Sequence, residues 1–301
     1  MMLKIAYNDH YIQPLPEGHR FPMEKYDLLP KQLIHEGTVD ETAFFSPSMI
    51  SKKEVLSVHD NNYFKRLVSL EISPRDQRKT GFSHDERLIL REQIIMEGTR
   101  KCAEFAQQFG VAMNIAGGTH HAYRDRGEGF CLLNDIAIAA KWLLNTEKAK
   151  QILVVDLDVH QGNGTAAIFQ EEDRVFTFSM HGKNNYPLHK EQSNLDVELE
   201  DGIQDKKYLY LLEKNIDAIL SDFIPDFIFF QSGVDIIETD KLGRLGISLS
   251  GCKKRDEIIL NLAKQNAIPI VASMGGGYSP EIKHIIEAHA NTYRTAQHIF
   301  F

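Results

Sequence analysis

The stretch ILVVDLDVHQGNGT (residues 152–165) begins as an apolar strand and ends with charged side chains at alternate positions. Its first residues are typical of a strand that is buried on both faces of a parallel sheet. Asp156, Asp158 and His160 then follow at every second position, so an extended backbone directs them to one side. Burying an unpaired charge costs several kcal/mol. We therefore expect a compensating partner, such as a metal cation, where this strand ends.

Short apolar runs alternate with helical patterns along the whole chain, without a linker or a repeat. The predicted strands are 3–8, 55–58, 111–116, 152–158, 174–180, 226–233 and 268–274. The predicted helices lie near 83–109, 134–149, 206–224, 251–266 and 280–297. Ser83 and Glu86 have the spacing of a capping box, and Gly110 is placed to end that first helix. We predict a single α/β domain over residues 1–301, with three α/β/α layers around a mainly parallel sheet.

Composition and charge narrow the functional classes. The chain has 301 residues and a net charge of −8, which argues against direct nucleic-acid binding because such proteins usually present a basic face. Its three cysteines show no CxxC spacing and fit a reducing compartment. The N-terminus lacks the apolar core of a secretory signal, and no run approaches the roughly 18 apolar residues of a membrane span. We predict a cytoplasmic protein without membrane contact, or a nuclear one if the organism is eukaryotic.

Three other predicted strands are also followed by side chains that can bind a metal ion or transfer a proton. Adjacent histidines follow one strand, an aspartate follows the second, and a tyrosine on a glycine turn follows the third: His120, His121, Asp235 and Tyr278. In open parallel sheets, ligands bind outside the carboxyl ends of the strands. We therefore expect these side chains to meet the charged residues that end the stretch quoted above.

Asp158, His160 and Asp235 form a candidate metal site. Two carboxylates, one imidazole and an open position are the donor set of a catalytic divalent ion. Zinc suits these mixed oxygen and nitrogen donors, and iron(II), cobalt or manganese are alternatives. Without a metal, the same residues would form a polar cluster that caps the strand ends, with Asp235 in a turn or at a helix start.

The histidine pair and Tyr278 indicate acid–base chemistry beside that ion. Imidazole titrates near neutral pH and can act as a general base toward water. A phenol on a glycine turn can donate a hydrogen bond to a developing oxyanion. The alternative is a structural role, with His120 and His121 forming a hydrogen-bonded pair and Tyr278 packing in the core.

Five segments resemble, in order and spacing, the signature blocks of the zinc-dependent histone deacetylases: GGTHHA, GFCLLNDIAIA, DLDVHQGNGT, QSGVD and GGGY. The match runs from about residue 81 to residue 280. The segments DKLGRLGIS, YP and EGHRFPMEKYDLL are most similar to class IV and bacterial members. The resemblance implies an arginase/deacetylase-type fold and hydrolysis of N-acylated lysine.

The resemblance also implies a role for each matching position. The metal ligands would be Asp158, His160 and Asp235, and the catalytic group would be His120, His121, Tyr278, Asp156 and Asn163. A potassium site would use Asp156, the hydroxyl of Ser179, and backbone carbonyls of Asp158, His160 and Met180. The tunnel for the acyl-lysine stem would be lined by Gly129, Phe130, Tyr186 and Leu242.

Asn163 departs from the pattern of class I members, which have an aspartate at this position. A neutral amide stabilises an imidazolium less than a carboxylate does. We therefore expect His121, its predicted neighbour, to be less basic and to stay neutral at pH 7, ready to accept a proton.

The resemblance predicts a metal-dependent amidohydrolase that removes acetyl or longer acyl groups from lysine side chains of proteins or peptides. One alternative is a deacylase of small N-acyl amines such as acetylpolyamines. A second is an arginase-like ureohydrolase, which would need a second metal site, although Gly162 stands two residues after His160 where a further aspartate would be required. A third is a module that binds acylated lysine without hydrolysing it.

Overall fold

The computed structural model describes residues 3–301, which contain one eight-stranded sheet in which every neighbouring pair is parallel. The strands are β1 (Lys4–Ala6), β2 (Phe44–Phe45), β3 (Val111–Asn114), β4 (Ile152–Asp156), β5 (Val175–Gly182), β6 (Leu195–Leu199), β7 (Phe227–Gln231) and β8 (Ile270–Ser273). Their order across the sheet is β2-β1-β3-β8-β7-β4-β5-β6. This confirms the predicted α/β fold with a central parallel sheet.

Helices cover this sheet. Between residues 3 and 301 they are α1 (Lys25–His35), α2 (Lys52–Leu56), α3 (Asn61–Val68), α4 (Pro74–Thr80), α5 (Glu86–Phe109), α6 (Asp135–Asn145), α7 (Asn163–Phe169), α8 (Asp205–Asp222), α9 (Leu249–Gln265) and α10 (Ile282–Phe300). Every residue of β3, β4, β7 and β8 is buried. Both faces of the sheet centre are therefore covered, as the predicted three-layer arrangement requires. Within residues 3–301 we find no helix with the length and apolar character needed to cross a membrane.

The four central strands, β3, β8, β7 and β4, end at one level. Asp156 is in register with Gln231, Gln231 with Ser273, and Ser273 with Asn114. Each is the last residue of its strand. Because the strands are parallel neighbours, the side chains that follow them gather at one edge of the sheet.

The predicted strand at 55–58 is wrong. This segment belongs to α2 and the turn after it, and the Ser51 hydroxyl caps the helix by accepting the N–H of Glu54 at 3.3 Å. Val55 and Val58 are both buried. Their three-residue spacing suits one face of a helical turn as well as a strand, so the short run was ambiguous. The strand that pairs with the outer side of β1 is β2 instead.

The start of α5 also differs from the prediction. Its N-cap is Asp85, whose carboxylate accepts the N–H of Leu88 at 2.7 Å, and not Ser83. Asp85 is held in place by a second contact, because Gln13 donates to the same carboxylate at 3.3 Å. Gly110 ends the helix with φ of 87°, as predicted. The sequence patterns did not predict β6 or the helices α1, α3, α4 and α7.

Candidate active site

The three candidate metal ligands meet where β4 and β7 end. One donor atom from each of Asp158, His160 and Asp235 lies within 4.8 Å of the other two. The His160 Nδ1 atom is 3.0 Å from Asp158 Oδ1 and 3.1 Å from Asp235 Oδ2. Both carboxylates are buried, and His160 is 9% exposed. The donors thus surround one small volume, as a shared ion requires.

Backbone groups fix the orientation of the two carboxylates. The N–H of Gly276 donates to Asp158 Oδ2 at 2.9 Å, and the N–H of Val159 donates to Asp235 Oδ1 at 2.9 Å. A side chain at position 276 would collide with Asp235 and crowd Asp158. The glycine turn after β8 is therefore required for the backbone to approach both ligands.

The electrostatics of this cluster fit a divalent cation. Burial and the neighbouring Asp158 raise the pKa of Asp235 above its usual range. Burial alone would lower the pKa of His160, but Asp158 and Asp235 outweigh it and raise the pKa to about 10. The two buried carboxylates thus favour a positive charge beside them. Two carboxylate oxygens and one imidazole nitrogen are donors that zinc accepts, so the residues are consistent with a zinc site.

The two adjacent histidines follow β3 and differ in their hydrogen-bond partners. The Nδ1–H of His120 donates to Asp156 Oδ2 at 2.7 Å, and the Nδ1–H of His121 donates to Asn163 Oδ1 at 2.6 Å. The ring centroids lie 4.1 Å apart. With Nδ1 occupied as a donor, Nε2 is the nitrogen of each ring that can accept a proton.

The two partners give the two rings different basicities. Burial lowers the pKa of His120, but Asp156 and Asp158 outweigh it and raise the pKa to about 8. Burial, together with His120 and His160, holds the pKa of His121 well below its ordinary value. One ring of the pair is therefore inclined to hold a proton, whereas the other is inclined to be neutral.

A chain of hydrogen bonds sets the orientation of the Asn163 amide. Its Nδ2 donates to the Tyr123 hydroxyl at 2.9 Å, and that hydroxyl donates to Glu191 at 3.0 Å. The amide oxygen is therefore the atom presented to His121. Sequence reasoning missed Tyr123 and Glu191, because the bonds that join them to Asn163 and to each other span 40 and 68 residues of the chain.

Tyr278 follows the glycine turn after β8 and is held by Asp240. The Asp240 carboxylate accepts the N–H of Tyr278 and also the N–H groups of Leu242 and Gly243 at 2.8 and 2.9 Å. Asp240 thus links Tyr278 to Leu242, which is predicted to line the tunnel. The Tyr278 ring centroid lies 5.9 Å from that of Phe130. Sequence reasoning missed Asp240.

Lys25 is a second unforeseen support of this turn. Its side chain is fully buried, and its ammonium donates to the Gly275 carbonyl at 3.0 Å. The ammonium also lies 5.6 Å from the centroid of the Tyr278 ring. Burial lowers the pKa of Lys25 to about 8, although Asp235 and Asp158 act in the opposite direction.

The predicted tunnel residues line one cavity of about 360 Å³. Gly129, Phe130, Tyr186 and Leu242 contribute to its wall together with His121, His160 and Tyr278. The Tyr186 hydroxyl donates to Glu128 at 2.8 Å, and its ring lies edge-on to His121 with centroids 4.9 Å apart. The cavity therefore connects the protein surface with the candidate metal and acid–base groups.

The predicted potassium ligands lie at and just beyond the end of β4 and beside it within β5. Asp156 is in register with Ser179, and Met180 follows within β5. The Ser179 hydroxyl is 2.9 Å from His181 Nδ1. A monovalent cation at these residues stays a prediction.

Arg255 ends the charged run KKR (253–255) but is not on the surface. Its side chain is fully buried and pairs with Asp256 at 2.7 Å. The guanidinium also donates to three backbone carbonyls at 2.9–3.2 Å: Leu157, Ser232 and Gly233. It therefore ties together the two loops that carry Asp158 and Asp235. The charged run KKR contains no signal for this, because only the packing of α9 decides which of its residues faces inward.

The chain is similar to known proteins over most of its length. A model described as the histone deacetylase domain matches residues 19–293. An uncharacterised protein of Picosynechococcus sp. is 36% identical over 300 residues, covering 100% of both chains. Histone deacetylase 2 of Arabidopsis thaliana is 29% identical over 296 residues, covering 94% of this chain and 76% of that protein.

Solved structures show the same architecture. A histone deacetylase homologue from Aquifex aeolicus has a TM-score of 0.83 at 23% identity, covering 98% of this chain and 84% of that chain. A histone deacetylase homologue complexed with SAHA has a TM-score of 0.85 at 23% identity, covering 99% and 84%. At this level of identity the likeness shows a shared fold.

Proposed function

The chain belongs to the histone deacetylase family, and from this membership and the site geometry we propose that it is a zinc-dependent hydrolase of acetyl-lysine in proteins or peptides. One observation carries the proposal. The tunnel cavity and a smaller inner cavity share His121, His160 and Tyr278 in their walls. His120 and Asp158 line the inner cavity, and the carboxylate of Asp235 lies beside Asp158 and His160. These are the groups needed to bind an amide, activate water and stabilise an oxyanion.

The tunnel would bind the four-carbon stem of the acylated lysine. The aromatic ring of Phe130 and the side chain of Leu242 offer apolar walls to methylene groups. A filled tunnel also excludes bulk water from the amide, which strengthens the polar interactions at its base. The inner cavity beside Tyr278 and Gly276 measures only about 40 Å³, room for a few water molecules, and this supports a short acyl group such as acetyl.

Zinc held by Asp158, His160 and Asp235 would polarise the amide carbonyl and lower the pKa of the attacking water. His121, kept neutral by its surroundings, would accept the proton of that water at Nε2. The Tyr278 hydroxyl, whose pKa burial raises well above its usual value, stays protonated and would donate to the oxyanion. His120, the more basic ring, can hold the proton that the departing lysine amine needs.

The proposal is tested by metal content and peptide hydrolysis together. Purified protein loaded with zinc is expected to bind about one ion per chain and to release acetate from an acetyl-lysine peptide. A chelator should abolish hydrolysis, and added zinc should restore it. Hydrolysis that survives complete removal of metal would contradict the proposal.

The same measurement separates this proposal from a ureohydrolase, which needs two metal ions. A side chain at position 162 would collide with Asp156, so the structure leaves no room there for a further ligand. Two bound ions per chain, with hydrolysis of a guanidinium substrate, would favour the ureohydrolase.

The difference between Asn163 and a carboxylate yields a pH prediction. In the Asn163→Asp variant, the new carboxylate should stabilise protonated His121 and raise its pKa by about one unit or more. Because a general base must be neutral, the acidic limb of the kcat profile should move to higher pH, and activity near pH 7 should fall. Asp156 has this effect on His120, whose pKa is raised to about 8.

This shift is checked by following kcat from acidic to mildly alkaline pH on one acetyl-lysine peptide. Asn215→Asp on α8 is a suitable control, because it changes net charge equally at a residue outside the cavity. An acidic limb that does not move in the Asn163→Asp variant would count against His121 as the base.

A further inference from the structure

The mouth of the tunnel carries a group of basic side chains, although the protein as a whole has a net charge of −8. The cations that line the tunnel cavity are Arg20, Arg78, Lys79 and Arg244. All four are exposed, and the cavity wall contains no aspartate or glutamate within residues 3–301. We call these four residues the basic rim.

Half of the basic rim is not neutralised by the protein. Lys79 lies 3.3 Å from Asp76, and Arg244 lies 3.6 Å from Asp201. In the part of the chain that the structure describes, Arg20 and Arg78 have no carboxylate within ion-pair distance. These two guanidinium groups therefore remain able to pair with a ligand.

The segments that carry the rim are tied to the tunnel wall. The backbone N–H groups of Gly129 and Phe130 donate to the carbonyls of Lys79 and Thr80, each at 3.0 Å. His19, next to Arg20, contacts the Gly81 carbonyl at 2.9 Å. The rim cations thus extend from anchored backbone at the tunnel mouth.

A second set of bonds anchors the opposite side of the mouth. The Asn185 amide donates to the Leu242 carbonyl at 2.7 Å, which joins the Arg244 segment to the Tyr186 segment. Glu128, the carboxylate bonded to Tyr186, is already paired with Arg126 at 2.9 Å. The unpaired charge around the tunnel mouth is therefore positive.

We infer that the enzyme selects acyl-lysine peptides with acidic residues beside the modified lysine; this rests on the proposed function. With the lysine stem in the tunnel, the flanking residues must cross the basic rim, since each residue extends the chain by at most about 3.6 Å. At physiological salt, charges more than about 8 Å apart are largely screened from each other. The flanking residues therefore interact with the basic rim and hardly with the net charge of the protein. The rim also disfavours acetylpolyamines, whose remaining amines are cationic.

The test uses three acetyl-lysine peptides that differ only in the two residues on each side of the acetylated lysine. These four residues are all aspartate in the first peptide, all glutamine in the second and all lysine in the third. For zinc-loaded protein at low salt, kcat/KM should fall from the first peptide to the third by about tenfold, mainly through KM. High salt should reduce the difference in kcat/KM among the three peptides. Equal rates for the three peptides, or faster cleavage of an acetylpolyamine, would overturn the inference while leaving a deacylase in place.

Two double variants test whether the basic rim causes the preference for the acidic peptide. The Arg20→Gln, Arg78→Gln double variant should reduce the preference for the acidic peptide to about threefold or less. The double variant Lys206→Gln, Lys207→Gln removes the same charge from exposed residues of α8 outside the cavity and should keep the full preference. An undiminished preference in the rim variant would contradict the inference.

A binding measurement keeps the inference separate from the proposed function. If no peptide is hydrolysed, the proposed function fails, and fluorescence anisotropy with the same three labelled peptides decides the inference. Tighter binding of the acidic peptide, lost in the rim variant, supports a basic docking rim. Equal binding of all three peptides rejects it.

Discussion

Replacement of His121 by alanine is expected to lower kcat by about 10²–10⁴-fold, because it removes the proposed acceptor of the water proton. The neighbouring His120 should not substitute for it. Its Nδ1 is bonded to Asp156, and because its pKa is raised to about 8, the ring is mostly protonated at neutral pH and cannot accept a second proton. The measurement is kcat on a saturating acetyl-lysine peptide with zinc-loaded protein.

Two controls separate this chemistry from structural damage. His121 is buried and bonded to Asn163, so its removal leaves a buried amide oxygen without its partner and should cost about 1–3 kcal/mol of unfolding free energy. Zinc content and melting temperature therefore accompany the rate, with His35→Ala, an exposed change on α1, for comparison. A folded, zinc-containing variant with kcat within tenfold of the wild type would refute the assigned role.

Replacement of Tyr278 by phenylalanine is expected to lower kcat by about 10²–10³-fold, the usual effect of removing one oxyanion donor. Within residues 3–301 the hydrogen bond of Tyr278 is the one that its backbone N–H donates to Asp240, so loss of the hydroxyl leaves no protein group without its partner. The ring keeps its contacts with Phe130 and Lys25. The change should therefore act on the rate with almost no effect on stability.

Tyr186→Phe is the matched control for this variant. It removes a phenol hydroxyl from the same cavity, but that hydroxyl is bonded to Glu128 at the tunnel mouth. We expect kcat to stay near the wild-type value and any effect to fall on KM. Equal losses of kcat in both variants would show that Tyr278 has no special part in stabilising the oxyanion.

The ligand cluster illustrates what sequence reasoning could reach. Asp158 and His160 were identified as a pair because their spacing of two has a fixed meaning in an extended chain. Asp235 and Tyr278 could be added because parallel strands place their carboxyl ends at one edge. In the structure Asp158, His160, Tyr278 and the histidine pair line the inner cavity, and Asp235 lies beside Asp158 and His160.

The predicted strand at 55–58 and the buried Arg255 show where local patterns do not determine the structure. A run of four residues fits either period, so a local cap at Ser51 decided the conformation. Arg255 stands in a charged run, yet it reaches a carbonyl 98 residues earlier in the chain. Its burial depends on the way α9 packs, which no local pattern encodes.

By itself the sequence determined the parallel α/β architecture and the candidate metal ligands, and it predicts the acid–base residues, because these depend on short periodic spacings and on the ends of recognisable strands. Only the tertiary structure decided which groups support them. Asp240, Lys25 and Arg255 contact carbonyls or N–H groups distant in sequence. The basic rim likewise unites residues from three separate segments. Contacts of this kind arise when the chain closes on itself, so they have no local period or motif by which they could be foreseen.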